Sequence, residues 1–214
     1  YRVRADGRTR AERLTRRSAF YQDPAISPDG RRVIALRGPA RAYTDALVGG
    51  VPGGTEDIVS VPFIAGGGDA TLVSPAGGLS NPHFTQDSGR VYLHGGGRGL
   101  VSMRFDGTDR RSVLRATLGD GGRGGGGGGG GNTQEILLSP DGERALVQAE
   151  NNLYVVASVP QVGATPPSIA LANPAQAAVP VRRLTRIGGD FPGWARDSKH
   201  VYYALGRSYF QYDL

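Results

Sequence analysis

The sequence predicts an all-β chain: a β-propeller segment of about four four-stranded antiparallel blades, part of a larger ring. Three observations carry this reading. A ten-residue template occurs four times, its aspartates 58, 54 and 56 residues apart. Turn-forming residues hold fixed places within it, and short apolar runs follow each copy. Repetition at this period is the mark of stacked supersecondary units, so it is weighed before anything else.

The copies run from Pro24 to Val33, Pro82 to Val91, Ile136 to Ala145 and Pro192 to Val201. Each has an apolar anchor (Ile26, Phe84, Leu138, Trp194) and, three residues on, an aspartate (Asp29, Asp87, Asp141, Asp197). Four residues past the aspartate stands a small apolar residue: Val33, Val91, Ala145 or Val201. Ser27-Pro28-Asp29-Gly30 and Ser139-Pro140-Asp141-Gly142 suit a type I turn, with proline pre-set at the second position and glycine at the fourth. Thr85-Gln86-Asp87-Ser88 and Ala195-Arg196-Asp197-Ser198 are looser versions. The four aspartates are therefore expected to be structural turn residues that accept backbone N–H groups, not catalytic carboxylates.

Each template then reads as a hairpin whose second strand is Arg32–Arg37, Arg90–His94, Arg144–Gln148 or His200–Leu205. Third strands follow at Ile58–Val61, Leu100–Met103, Leu153–Val156 and Tyr209–Tyr212. Glycine-bearing turns lead to fourth strands at Ala70–Ser74 and Arg111–Arg115, and Leu14-Thr15 and Leu184-Thr185 look like the ends of two more. A four-stranded sheet has two apolar faces, and packing between neighbours buries both.

This organisation makes 1–15 the end of a preceding blade, 16–80 and 81–118 two blades, and 119–133 a Gly-rich linker. Residues 134–185 form a blade with an Ala/Pro-rich insertion at 157–180, and 186–214 an incomplete last blade. A further insertion, Gly38–Glu56, separates two strands. The opening Tyr1-Arg2-Val3-Arg4 is neither a start methionine nor a signal peptide, so the chain reads as a piece of something longer.

Composition narrows the function classes. The 214 residues contain no cysteine, which excludes disulfides, a thiol nucleophile and thiolate metal sites. The longest uncharged run, Asn151–Val181, carries Pro160, Pro166, Pro167, Pro174 and Pro180, so no continuous helix spans a membrane there. Of the net charge of +6, residues 1–17 supply +5, through seven arginines against Asp6 and Glu12. Nucleic-acid binding calls for a basic stripe interleaved with stacking aromatics. This segment has only Tyr1, so no nucleic-acid partner is expected.

The residues supply little for catalysis. His83, His94 and His200 are the only imidazoles, and no H-x-H or H-E-x-x-H spacing occurs. No G-x-S-x-G elbow is present. The eight glycines Gly124–Gly131 match a phosphate-loop pattern trivially, but a phosphate cradle needs a pinned backbone and a following strand–helix context. No catalytic, metal or cofactor residue is therefore assigned to this chain. His83, in Asn81-Pro82-His83-Phe84, and Trp194, the only tryptophan, are the candidate channel-lining residues. Trp194 also occupies the anchor position of Ile26 and Phe84, which favours core packing.

The Ser-Pro-Asp-Gly turns, with Leu184-Thr185 ahead of the next anchor, resemble the repeats of TolB-like (WD40-like, PD40) propellers. Longer strings are similar to the N-terminal propeller of large bacterial amidohydrolases: Tyr21-Gln22-Asp23-Pro24, Ala35-Leu36-Arg37-Gly38-Pro39, Phe105-Asp106-Gly107-Thr108-Asp109 and Gly188-Gly189-Asp190-Phe191-Pro192-Gly193-Trp194. The resemblance implies a non-catalytic scaffold or substrate-gating module of a larger exported hydrolase, periplasmic or secreted. Its metal would be bound by a downstream catalytic domain. Two alternatives share the repeat: a TolB-type protein-interaction propeller that docks envelope proteins, and the propeller of a prolyl-oligopeptidase or tricorn-like serine peptidase. An H-x-H motif after Leu214 would favour the amidohydrolase, a G-x-S-x-G motif the peptidase.

Eight consecutive glycines carry no side chains to bury. Deleting Gly124–Gly131 is expected to leave the thermal midpoint nearly unchanged; loss of cooperative unfolding in calorimetry would show that the run packs.

Overall fold

The computed structural model describes residues 1–39, 56–87, 89–118, 133–159 and 166–214. The glycine run, most of the Gly38–Glu56 insertion, Ser88 of the second turn and residues 160–165 lie outside them. Each template forms the first two strands of a sheet, as the turn chemistry requires. β1 (Phe20–Ile26), β2 (Arg32–Gly38), β3 (Asp57–Pro62) and β4 (Thr71–Pro75) lie side by side in chain order. β5 (Ser80–His83), β6 (Arg90–His94), β7 (Leu100–Arg104) and β8 (Arg111–Thr117) form the second sheet. The third contains β9 (Thr133–Leu138), β10 (Ala145–Ala149) and β11 (Asn152–Val156).

Within the Ala/Pro-rich stretch a short strand, β12 (Ser168–Ala170), leaves its own repeat and lies parallel beside β8, making the second sheet five-stranded. β13 (Val181–Arg183) then completes the third sheet against β11. β14 (Asp190–Trp194), β15 (His200–Leu205) and β16 (Ser208–Asp213) make a three-stranded fourth sheet. The chain is thus all-β, with four antiparallel sheets of a propeller segment and β12 added to the second as a parallel strand. Among the described residues the only helical turns are two 3₁₀ turns, Gly96–Arg98 and Pro174–Gln176. No described helix is long and apolar enough to cross a membrane.

Two compact units are distinguishable: Tyr1–Val91 with Met103–Asp109, and Tyr92–Ser102 with Arg110–Leu214. In the first, Leu14, Val33, Val59 and Val61 form a buried cluster, backed by Tyr21, Phe63 and Ala70. The Leu14 carbonyl accepts the Gly68 N–H at 2.9 Å. The N-terminal segment expected to end a preceding blade forms isolated bridges instead of strands: Arg2 to Glu12, closed by two backbone bonds of 2.8 Å and an ion pair, and Thr15 to Gly68. Arg90 pairs with Asp109 at 2.7 Å, and the Arg32 guanidinium sits 4.8 Å from the centre of the Phe105 ring.

In the second unit, β10 and β11 show why these sequences make strands. Their side chains alternate between two cores, the period-2 signature of a sheet buried on both faces. Ala145, Val147, Ala149, Tyr154 and Val156 enter one cluster with Leu114, Ile136 and Leu138. Leu146, Leu153 and Val155 enter another with Val201, packed by Trp194, Tyr203 and Leu184. Full burial of each such aliphatic side chain contributes about 1.5–3 kcal/mol. The Leu-Thr pair after β13 also has a local task. Leu184 N–H donates to the Leu153 carbonyl at 2.8 Å, and the Thr185 hydroxyl accepts the Leu153 N–H at 2.9 Å.

The two apolar positions of the template differ in environment. The residue after the turn is buried in all four copies: Val33, Val91, Ala145 and Val201. The anchor before the turn is not uniform, since Leu138 is buried while Ile26 is 54% exposed. The anchor ends its strand, where the chain is already leaving the sheet, so its cover depends on what lies beyond the hairpin.

His94 ends β6 in the second unit, buried, with Nε2 3.3 Å from the Thr133 hydroxyl. Burial holds its imidazole below the ordinary histidine range, partly offset by a hydrogen bond to the Gln134 backbone. The folded state therefore favours the neutral ring, and the unfolded chain binds more protons below a pH of about 6.5. Stability is expected to be full above that pH and to fall as the pH is lowered through it. Thermal midpoints measured between about pH 5 and 7.5 should rise with pH, and less so in His94→Gln.

Candidate functional site

The four template aspartates share one local geometry. Each accepts, through a carboxylate oxygen, the N–H of the residue two positions on: Arg31 to Asp29 at 3.1 Å, Gly89 to Asp87 at 2.8 Å, Glu143 to Asp141 at 3.0 Å and Lys199 to Asp197 at 2.9 Å. In the two Ser-Pro-Asp-Gly copies the serine is buried and hydrogen-bonds the aspartate, while its oxygen accepts the N–H of Arg32 or Arg144 across the turn. The turns also need a residue at positive φ, met by Gly30 and Gly142 at +67° and +77°. In the fourth copy Ser198 takes that conformation at +59°.

At Asp29, Asp141 and Asp197 these bonds lower the carboxyl pKa. The Ser27 hydroxyl and then the Arg31 N–H hold Asp29 below its ordinary range. At Asp141, burial pushes upward, but Ser139, the Glu143 N–H and Ser198 together outweigh it. Asp197 is lowered to about 2 by the Lys199 N–H, followed by His200, whose Nδ1 lies 2.6 Å from Oδ2. Carboxylates committed in this way are poor proton carriers at neutral pH.

A second recurring feature concerns the first strands. Asp23, Asn81 and Phe191 each precede a proline and each has positive φ, at 50°, 52° and 51°. A non-glycine residue there is strained, the more so before proline. In β1 the register shifts between Gln22 and Ala25, so Asp23 and Pro24 together oppose Ala35. In β14 it shifts between Asp190 and Gly193, so Phe191 and Pro192 oppose Tyr203. The extra residue forms a bulge, which accommodates a proline that cannot donate to the ladder. β9 carries Ile136 where the others have proline; Ile136 stays in register with Val147, and the shift falls nearer the start of the strand, where Gln134 is the extra residue. At the bulges Asp23 is exposed and Phe191 is 83% exposed; Ile187, four residues earlier in the chain, is 81% exposed. Sequence reasoning missed this feature; the signal was a proline inside each of three predicted strands.

The two candidate channel-lining residues fall in different settings. His83 is half-buried on β5, with Nδ1 3.1 Å from the Asn81 carbonyl, tied to the residue at positive φ. Trp194 packs against the cluster of Leu146, Leu153, Val155 and Val201, and its indole N–H donates to the Leu137 carbonyl at 3.0 Å. The ring is half-buried. Among the described residues no group of three or more His, Asp or Glu side chains is placed to hold a metal ion.

Comparison of the sequence with family models and with curated proteins gives no match. Solved structures do resemble the fold. A protein described as a TolB from Agrobacterium tumefaciens is 17% identical with a TM-score of 0.54, over 89% of this chain and 56% of its own. TolB from Acinetobacter baumannii is 13% identical with a TM-score of 0.50, over 86% and 37%. A gluconolactonase from Xanthomonas campestris is 15% identical with a TM-score of 0.54, over 97% and 62%. The chain thus spans about half the length of the structures it matches. Truncating the half-buried indole removes both packing and a hydrogen bond, so Trp194→Ala is expected to cost about 3 kcal/mol in denaturant unfolding, and Trp194→Phe about 1–2. At these identities the likeness establishes the architecture: the chain has the fold of TolB-like β-propellers.

Proposed function

We propose that this chain is a non-catalytic part of a TolB-like propeller that serves as scaffold or substrate-gating module of a larger exported hydrolase of the amidohydrolase type, in a periplasmic or secreted setting. The observation that carries the proposal is the set of three pre-proline residues at positive φ on first strands, two of them in bulges. Strain of this kind persists where surrounding structure enforces it, and it gathers at binding and switching positions. Here it turns side chains of differing character outward, with His83 fixed beside one of them. The template carboxylates, by contrast, are occupied in turns. The metal and the reacting groups of the hydrolase would belong to its other domain.

A second reading has its own support. The exposed Phe191 and Ile187 are apolar side chains of the kind that anchor protein contacts. They suit a TolB-type protein-interaction propeller, and two of the structural neighbours are named TolB. The gluconolactonase neighbour shows that the same architecture also serves an enzyme, so fold alone does not decide between them.

The test compares the natural full-length protein with a version lacking residues 1–214, on small and on polymeric amide substrates. A gating module predicts that deletion raises kcat/KM for the large substrate by about tenfold or more relative to the small one, with bound metal retained. Unchanged selectivity, with metal-dependent hydrolysis intact, rejects gating. Absence of any amide hydrolysis by the full-length protein rejects the amidohydrolase assignment.

A further inference from the structure

The fifth strand of the second sheet is not part of the repeat. β12 comes from the Ala/Pro-rich stretch and pairs with β8 through Ser168 with Arg115, Ile169 with Ala116 and Ala170 with Thr117. Its ends are held by Arg115 N–H to the Pro167 carbonyl at 2.9 Å and Leu171 N–H to the Thr117 carbonyl at 2.8 Å. Ile169 and Leu171 are buried in the same cluster as Leu114, Ala116 and Val159, while Ser168 is exposed. The edge of β8 therefore presents a row of backbone groups and sockets for two apolar side chains two residues apart.

We propose that this edge is a strand-accepting groove, occupied by β12 in the resting chain and open to an extended peptide of the pattern apolar-x-apolar when β12 leaves. Three observations support this. The pairing is three residues long and parallel, the weaker geometry per residue. The outer strands of the first and third sheets, β4 and β13, carry no fifth strand among the described residues, so β12 is an addition to the four-stranded pattern of the repeat. The approach runs through Pro166-Pro167, which pre-extends the chain and lowers the entropy lost on docking. Main-chain bonds supply affinity in such strand addition and alternate side chains supply selectivity. The occupant is an extended segment like Ser168-Ile169-Ala170-Leu171, entering parallel to β8. The site is independent of the first-strand bulges and of the proposed gating role.

The experiment uses Ile169→Asp with Leu171→Asp in the full chain, together with a labelled peptide copying Pro166–Ala172. A second variant replaces 166–172 by a Gly/Ser segment of equal length. Native exchange protection in β10 and β11 reports that each variant is folded. The expected result is faster amide exchange at Arg115 in both variants and saturable peptide binding that restores its protection. Binding to the parent chain should be about tenfold weaker or more, since the closed strap reduces the competent fraction. A peptide with the same two aspartates should not bind. Unchanged exchange at Arg115, no peptide binding to the folded variants, or unfolding of both would each overturn the proposal, the last by making β12 an integral core strand.

Discussion

The carboxylate that accepts the N–H two residues ahead of it fixes each hairpin of this chain. Asp29, Asp87, Asp141 and Asp197 all make this bond, and it closes the chain back at one fixed place. Because side chains alternate along a strand, a slip of one residue would send every inward side chain outward. Val33, Val91, Ala145 and Val201 reach the core only because the turn ends where it does. The buried serine in two copies adds a second tie across the same turn, so the best-formed copies are those with Ser-Pro-Asp-Gly.

From that register follows the two-sided burial of β10 and β11. Alternate residues of one strand enter separate cores, so neither face of the third sheet can be solvated without emptying a cluster. The sheets stabilise one another within this unit instead of standing alone. Prolines are tolerated in β1 and β14 because each sits in a bulge that skips a ladder bond. The cost is a strained residue before the proline, and its effect is to turn a side chain away from the packed faces. Packing and presentation are thus divided between the strand and its bulge.

β12 illustrates a different use of sequence. Its residues come from a stretch that the repeat does not need, and they cover the edge of a strand belonging to another sheet. Exposed edges invite pairing with other chains, and covering one with a local segment is a common protection. The same covering makes the edge dependent on how firmly three residues hold.

Much of the fold was legible in the residues. The spacing of the aspartates and the apolar runs located the four hairpins, the third strands and the fourth strands at Thr71–Pro75 and Arg111–Thr117, because turn chemistry and period-2 alternation are local properties. Tertiary structure decided the rest. Whether an anchor is covered, as Leu138 is and Ile26 is not, depends on chain distant in sequence. So does the pairing of Ser168–Ala170 with β8, which no local pattern encodes. The left-handed conformations of Asp23 and Phe191 belong to bulges whose place depends on the register of the partner strand. Local bonding wrote the hairpins, and long-range packing chose their neighbours and their exposed side chains.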